Sequence, residues 1–483
     1  MANQRPAEAW NLKTWSLTPH AFVIPVGLLS LIVGALVARN QLVLAIALIA
    51  IPLVVWLVVA YPGIVVGGLW LTALNGVPLL NLEGGGGQLR TTDISVIAIA
   101  MIAIAQWIVS PKIRRPLPSV IVMPCVFFGM WWLLTFARSL NAGIPGTDAF
   151  FFGRDFLSVV LIVPPAWFIL QEPAAWRQCV IVILLGAGAY GLAYICGSLG
   201  LIDATSFTHP QQIHTIAGVQ RLYTPMSDLI VMVAIFGAAI LATTPRSHAT
   251  PLIAVVTIIT LLAFLLQLTR AAYLGMAVGL VIAVVITLVQ GGQVRRMFLR
   301  RVSVFLMVSG IALFAVIDFG PGGGVTSVID ERISSGVSQV NEQSGTVGYR
   351  VKLYHEMLTV LGPDWPIGLG FLHPRDKYFP SLPSGSIRNS DVGLLNAVMT
   401  MGLTGLILLF GILFGFARYV AKTSDGRPTW LVVGMFSWLA LLAATSLTLV
   451  TLFSPTGLIS VGLTLVLCGV AIGPTPRLDQ LHA

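Results

Sequence analysis

Residues 318–391 read DFGPGGGVTSVIDERISSGVSQVNEQSGTVGYRVKLYHEMLTVLGPDWPIGLGFLHPRDKYFPSLPSGSIRNSD and form the one long polar interval in a strongly apolar chain. A charged side chain is costly inside a bilayer, so a segment this rich in charge is expected outside the membrane. Long loops without a function are uncommon, which favours recognition or chemistry over a solvated linker. Its ionisable residues are Asp330, Glu331, Arg332, Arg350, Lys352, His355, Glu356, Asp364, His373, Arg375, Asp376, Lys377, Arg388 and Asp391.

The composition of the whole chain is that of an integral membrane protein. Of its 483 residues, 57% are hydrophobic and only 9% are charged, whereas a soluble domain carries about 25% charged residues. The net charge of +9 does not indicate nucleic acid, because the basic residues are scattered at the ends of apolar runs. We therefore expect residues 1–483 to form a single integral membrane domain, with residues 320–391 inserted in it as one large loop.

Apolar runs long enough to cross a bilayer as a helix, roughly 17–25 residues, recur along the chain. The run at 156–170 is short and contains two prolines, and the runs at 42–61 and 62–80 are barely separated, so the count is about 12–14. The sequence predicts an all-α polytopic membrane protein whose large loop contains short helices. The runs are 21–38, 42–61, 62–80, 94–110, 119–137, 156–170, 179–202, 229–243, 251–269, 271–290, 303–319, 392–416, 428–452 and 455–473.

The basic residues between the runs predict the orientation, because Lys and Arg collect in cytoplasmic loops. They follow even-numbered runs, so both termini are expected in the cytoplasm. The large loop is expected on the opposite face, with the segments 81–93, 138–155 and 203–228. The basic residues that set this pattern are Lys112, Arg114, Arg115, Arg177, Arg246, Arg295, Arg296, Arg300, Arg301, Arg418, Lys422 and Arg427.

Arg270 is the sharpest single indication of a functional site. It lies between two apolar runs with almost no loop around it. An arginine at membrane depth costs about 2.5–3.5 kcal/mol on insertion scales, so its side chain is expected to face protein or water. The planar fork of guanidinium donors suits phosphate. The alternative is an arginine at a helix end whose side chain extends to the membrane surface.

Further candidates lie in the other segments of the same face. Arg221 and Tyr223 stand just before a run, in the sequence VQRLYTPMSDL. Arg350 begins a predicted amphipathic helix, YRVKLYHEMLTVLG. The apolar face of this helix is expected to be Val351, Tyr354, Leu358 and Leu361.

Candidate proton acceptors and metal ligands complete the list of reactive groups. His355 and His373 lie in the large loop, and Asp391 lies where that loop returns to the membrane. No His, Cys, Asp or Glu residues have metal-ligand spacing, and the four cysteines fall inside apolar runs, so we expect neither a metal nor another cofactor.

Four short motifs, through their order and spacing, resemble the O-antigen ligase and O-antigen polymerase family of bacterial envelope glycosyltransferases. They are QRLYTPMSDL, LTRAAYLGMAVGL, GYRVKLYHEMLTVLGPDWPIGLGF and SDVGLLNAVMTMGLTG, and the likeness covers about residues 215–410. Many ligases carry His-Asn where this chain has Asp391 and Val392. This departure favours a polymerase over a ligase.

The resemblance implies glycan transfer from an undecaprenyl-diphosphate-linked oligosaccharide, without metal or nucleotide sugar. The location implied is the bacterial inner membrane, with the large loop periplasmic. Arg221, Arg270, Arg350 and Tyr223 would bind the diphosphate, and Arg270 would also stabilise the leaving charge. Asp391, or next His355, would act as the base.

The resemblance leaves the acceptor open. A polymerase would join repeat units of O-antigen or exopolysaccharide, whereas a ligase would transfer the glycan to lipid A core. Membrane lipid is an expected partner, as is a chain-length regulator or other envelope polysaccharide machinery. No nucleic acid is expected.

A transporter of polysaccharide or lipid-linked glycan is the alternative from another class. Coupled carriers usually place acidic residues near the bilayer midplane and often contain inverted repeats. The predicted runs contain essentially no midplane Asp or Glu, and no repeat is visible. The sequence therefore favours the enzyme.

Overall fold

The computed structural model describes residues 56–74, 78–81, 88–109, 115–206, 213–216, 219–222, 226–243, 251–267, 270–290, 345–371, 393–423, 429–447 and 453–472. Contacts divide the chain into two compact units, Met1–Pro62 and Gly63–Ala483. In the first unit, residues 56–60 are helical and the rings of Trp56 and Tyr61 meet edge to face, with centroids 5.3 Å apart.

Helices dominate the described residues. In chain order the helices are α1 (Pro62–Leu74), α2 (Thr91–Val109), α3 (Ser119–Asn141), α4 (Gly146–Leu170), α5 (Pro173–Ser198), α6 (Ser227–Thr243), α7 (Pro251–Leu266), α8 (Arg270–Gln290), α9 (Gly345–Leu361), α10 (Gly393–Thr423), α11 (Thr429–Ser446) and α12 (Pro455–Ala471).

Two small antiparallel hairpins accompany the helices. One joins β1 (Pro78–Asn81) to β2 (Gln88–Arg90), and the other joins β3 (Ile213–Ile216) to β4 (Val219–Leu222). Short 3₁₀ turns lie at Ala204–Ser206 and Gly362–Asp364. The β3–β4 hairpin lies in the segment 203–228 and β2 lies in the segment 81–93, both of which the sequence assigns to the face of the large loop, whereas β1 begins inside the predicted run 62–80.

The predicted helical, multi-pass membrane class is confirmed. Six of the described helices, α2–α5, α8 and α10, are long and apolar enough to cross a membrane, and α1, α6, α7, α11 and α12 are shorter apolar helices. Eleven of the predicted runs coincide with these helices. The predicted runs at 21–38 and 303–319, and most of 42–61, lie outside the described residues.

The outer face of α2 illustrates how these helices suit a lipid environment. Ile97, Met101, Ile104 and Ile108 are between 51% and 67% exposed, at a spacing of three or four residues. A helix whose exposed stripe is apolar buries its polar groups elsewhere, and Ser95 is accordingly buried with its hydroxyl donating to the Leu69 carbonyl of α1.

Residues 138–155 do not form the predicted loop, which is the main correction to the sequence analysis. Most of this segment is helical, because α3 ends at Asn141 and α4 begins at Gly146. Two charged residues in the first half of α4 are paired: Arg154 binds Asp93 over 3.0 Å, and Asp155 binds Arg90 over 3.2 Å. A search for apolar runs rejects such a segment, although paired charges are tolerated between helices.

The large loop contains a helix close to the one predicted, but with a different buried face. In α9, Met357 and Leu361 are buried and Tyr354 is half-buried, whereas Leu358 is 55% exposed. The expectation that Leu358 lies on the apolar face is therefore wrong. The face turns toward Met357 because Leu395 and Met399 of α10 pack against it.

Candidate functional site

Helix α10 is broken at Gly402, and the chain after α9 binds at the break. Gly402 has φ 70° and ψ 178°, outside the helical region. The carbonyls of Met399 and Thr400, left free by the break, accept hydrogen bonds from the N–H groups of Leu369 (2.7 Å) and Gly370 (3.0 Å). We call residues 362–371 the docking turn.

The other side of the break is satisfied by the same docking turn. The N–H groups of Leu403 and Thr404 donate to the carbonyls of Trp365 (2.9 Å) and Pro366 (3.0 Å). The fit leaves no room for side chains, since a Cβ on Gly402 would lie 2.3 Å from the Pro366 oxygen. The break and the docking turn therefore form one continuous hydrogen-bonded unit.

Helix α3 binds this unit from a second direction. The Trp131 indole donates to the Met401 carbonyl over 2.8 Å. One terminal nitrogen of Arg138 binds Asp364 over 2.9 Å, and the other donates to the Gly368 carbonyl. The large loop is thus fixed to α3 as well as to α10.

Phe371 ends the docking turn inside the helical bundle. Its backbone N–H donates to the Ser139 hydroxyl over 2.6 Å, and its ring is fully buried. The ring lies against Gly153 of α4, where a Cβ would approach it within 2.6 Å, and 5.4 Å from the Trp132 ring. The docking turn therefore contacts three membrane helices.

Arg350 lies on the packed face of α9. It precedes Tyr354 by one turn, and its Nε atom is buried. The Tyr354 hydroxyl donates to the Leu447 carbonyl, at the end of α11, over 2.8 Å. Burial raises the pKa of the Tyr354 phenol, and the nearby charge of Arg350 partly offsets the rise. Arg350 therefore lies one turn of α9 before the residue that contacts the end of α11.

The backbone of Arg270 is brought to the same end of α11. Helices α8 and α11 pack closely and antiparallel, because Gly275 lies against Thr445 and Leu441 whereas Gly279 lies against Ser437. Arg270, five residues before Gly275, is the first residue of α8. Arg270 and Arg350 therefore approach the carboxyl end of α11 from two elements.

Arg221 lies in β4, opposite His214 of β3 in the ladder. This hairpin is attached to the bundle through the Tyr194 hydroxyl of α5, which donates to the Leu222 carbonyl over 3.0 Å. An open cleft of about 430 Å³ lies between the hairpin and the end of α5. It is lined by Gly200, Leu201, Ile202, Asp203, Ala204, Thr205, Ile213 and Gln220.

The proposed base is the least defined part of the site. His355 lies on the exposed face of α9, about 140° around the helix from Arg350 at 100° per residue. Asp391 and Tyr223 lie outside the described residues, so their roles stay predictions. The roles of Arg221, Arg270, Arg350 and His355 also stay predictions, although their backbone positions are now known.

The structure adds residues that the sequence analysis did not single out. These residues include Arg138, Asp364 and Gly402. Asp228, in the first turn of α6, lines a small cavity with Trp438 of α11 and Ser460 of α12. The sequence signal for the docking turn was its Pro-x-Gly-x-Gly pattern, because glycines so spaced permit positive φ.

Among the residues that the structure describes, no three His, Cys, Asp or Glu side chains lie close enough to hold a metal ion. The backbones of two arginines, Arg270 and Arg350, approach the carboxyl end of α11. Guanidinium groups can neutralise a diphosphate through paired hydrogen bonds.

Residues 255–410 match a family model described as O-antigen ligase. The range begins in α7 and ends in α10, so it contains Arg270, Arg350 and Asp391. A comparison of the chain with curated proteins found no match. The predicted resemblance to the O-antigen ligase and polymerase family is confirmed over this range, and it supports a membrane enzyme that processes glycans.

Proposed function

We propose, on the premise of that family match, that the protein is a glycosyltransferase of the bacterial inner membrane. Its donor is a glycan linked to undecaprenyl diphosphate, and its product is a lengthened O-antigen or exopolysaccharide chain. The observation that carries this proposal is that the backbones of Arg270 and Arg350, both inside the matched range, approach the same end of α11.

The two arginines supply what the leaving group requires. As the bond between the anomeric carbon and the diphosphate oxygen breaks, its electron pair and negative charge pass to the diphosphate. Cations held in a partly dry site stabilise such charge strongly, and removing one donor of this kind typically costs about 10²–10³-fold in rate. Arg270 begins α8, so the amino end of that helix also favours the anion. Arg221 and Tyr223 contribute further donors.

A hydroxyl of the acceptor glycan forms the new bond to the anomeric carbon and loses its proton to a base. Asp391 is the first candidate for this base and His355 the second. A positioned base typically contributes about 10²–10⁴-fold. Asp228 is a third candidate, because it lies near the same end of α11, in a cavity that it shares with Trp438 and Leu442. Comparing Asp391→Asn, His355→Ala and Asp228→Asn identifies which of the three is required.

The open cleft beside β4 offers a place for sugars. Asp203, Thr205 and Gln220 present polar groups there, beside the apolar side chains of Leu201 and Ile202. Its volume of about 430 Å³ falls within the usual range for ligand sites. Gln220, which lines the cleft, precedes Arg221 in β4, and this supports the cleft as the site for the sugars.

A polymerase and a ligase share this donor and leaving group, and they differ in the acceptor. Asp391 at the position where many ligases have histidine favours the polymerase, which adds a second lipid-linked repeat unit. The ligase, which transfers the glycan to lipid A core, is the alternative.

A transporter is the competing function, and the broken helix α10 is the observation that favours it. Transporters often use the free ends of broken helices to bind ions or substrates. Here Leu369, Gly370, Trp365 and Pro366 occupy the backbone groups on the two sides of Gly402. The charges in α4 are likewise paired with one another. The free backbone groups at the break and the charges of α4 are therefore already bound within the protein. This favours the enzyme over the transporter.

The test is the surface and lipid-linked glycan profile of a strain carrying Arg270→Ala, beside wild type, Arg270→Lys and a deletion. We expect single-unit glycan in place of long chains, with partial recovery in Arg270→Lys because lysine keeps the charge but not the fork. Long polymer retained on the lipid carrier would instead identify a ligase. A normal profile for Arg270→Ala beside a defective deletion would contradict the arginine assignment and return the transporter to first place.

A further inference from the structure

We propose that Arg138 is a positioning residue: by holding the docking turn against α3, it sets the place of Arg350 at the diphosphate. This inference rests on the proposed function. It concerns a residue outside the range matched by the family, and its action on the reaction is indirect.

The first step is the contact itself. Arg138 lies in the last turn of α3 and reaches two points of the docking turn, the Asp364 carboxylate at its beginning and the Gly368 carbonyl in its middle. Because this guanidinium binds two separate points, it fixes the orientation of the docking turn relative to α3 as well as the distance between them. The docking turn is thereby held between α3 and the break in α10.

The second step is the connection from the docking turn to Arg350. Helix α9 ends at Leu361, where the docking turn begins, and Met357 and Leu361 pack on Leu395 and Met399 of α10. Arg350 lies roughly 17 Å before Leu361 at 1.5 Å per residue, so a tilt of roughly 5° at the docking turn moves it by about 1.5 Å. A misplacement of about 1 Å can cost about 10²-fold in rate.

The third step separates positioning from folding. The side chains of Arg138 and Asp364 are 35% and 42% exposed, and an ion pair so exposed adds little to stability. The backbone hydrogen bonds at Gly402 and the buried Phe371 ring are independent of Arg138 and hold the docking turn in the protein. Loss of Arg138 should therefore leave the protein folded while α9 becomes less firmly placed.

The structural test measures whether α9 loosens. Met357→Cys places a thiol under α9, and purified protein is treated with a maleimide in wild-type and Arg138→Met backgrounds. Thr359→Cys, on the exposed face, is the matched control, and protein without an added cysteine gives the background from the four native thiols. We expect Arg138→Met to raise the labelling rate of Cys at 357 at least fivefold and to leave the control unchanged.

The functional test is a double-mutant cycle on transfer from lipid-linked glycan. We expect Arg138→Met alone to lower the transfer rate at least tenfold and Arg138→Lys to lower it less. In a protein that already carries Arg350→Ala, we expect Arg138→Met to lower the rate almost no further. Additive losses would overturn the inference, because Arg138 would then act independently of Arg350. Unchanged labelling at position 357 would overturn it whatever the glycan profile shows. Unchanged transfer in Arg350→Ala would overturn the proposed role of Arg350, and the inference with it.

Discussion

Gly402 shows how one residue can determine the geometry of the site. Its φ of 70° lies in the region that side chains disfavour, and the chain of the docking turn passes directly against its Cα. Gly368 faces it with φ 73°, and a Cβ there would lie 2.4 Å from the Gly402 nitrogen. Two glycines in contact allow two backbones to exchange hydrogen bonds that side chains would prevent.

Replacing Gly402 with alanine should therefore destabilise the protein. Backbone strain of this kind costs about 1–3 kcal/mol, and the clash with the Pro366 oxygen adds to it. We expect a lower midpoint of thermal unfolding in detergent and a fall in polymer length. Gly411→Ala is the control in the same helix, because a Cβ there meets only Pro124 at 3.8 Å, and alanine is the better helix former. Equal midpoints for the two variants would contradict the account of the break.

At the scale of elements, the docking turn joins one loop helix to three membrane helices. Helix α9 packs on α10, Arg138 and Ser139 of α3 bind the docking turn, and Phe371 lies against α4. The large loop is therefore a folded part of the membrane domain over residues 345–371. Such anchoring gives Arg350 a defined position, which a solvated linker would not provide.

Phe371 provides a measure of this anchoring. Truncating a fully buried phenylalanine costs about 3–5 kcal/mol, so we expect Phe371→Ala to lower the unfolding midpoint markedly. Leu358→Ala removes an exposed side chain of the same loop, where changes usually stay within about 0.5 kcal/mol. Limited proteolysis of the loop should rise in Phe371→Ala alone. An equal fall in the unfolding midpoint of the two variants would mean that the buried ring of Phe371 does not hold the loop.

At the scale of the whole molecule, the helix ends fall in a consistent alternation. The ends of α3, α5, α7 and α11 and the starts of α4, α6, α8, α10 and α12 belong to the face that carries α9 and the β3–β4 hairpin. The basic residues Arg177, Arg418 and Lys422 belong to the opposite ends of their helices. By the positive-inside rule, the face with α9 is expected to be periplasmic.

Reporter fusions test this orientation. Alkaline phosphatase, which is active only outside the cytoplasm, should be active when fused after residue 375 and inactive when fused after residue 423. Green fluorescent protein should show the reverse pattern at the same two positions. The opposite result at either position would overturn the orientation and place the arginine site on the cytoplasmic face.

Much of this protein was predictable from the sequence, because hydrocarbon imposes a simple rule. A helix that crosses lipid must be apolar for about 20 residues, so eleven helices and their alternation could be read from composition. Arg270 also stood out, since a charge between two apolar runs is costly. The rule missed the first part of α4, before residue 156, where Arg154 and Asp155 are paired with Asp93 and Arg90. Such pairing depends on a neighbouring helix and leaves no local signal.

Only the tertiary structure decided how the large loop is held and which face of α9 is buried. The sequence placed Leu358 inside because periodicity defines a stripe only to within one residue, whereas contact with Leu395 and Met399 selects Met357. Nor could the sequence join Gly402 to the docking turn or Arg138 to Asp364, which is 226 residues away in the chain. Local sequence encodes what each segment exposes to lipid, and partners so distant in the chain are chosen by packing.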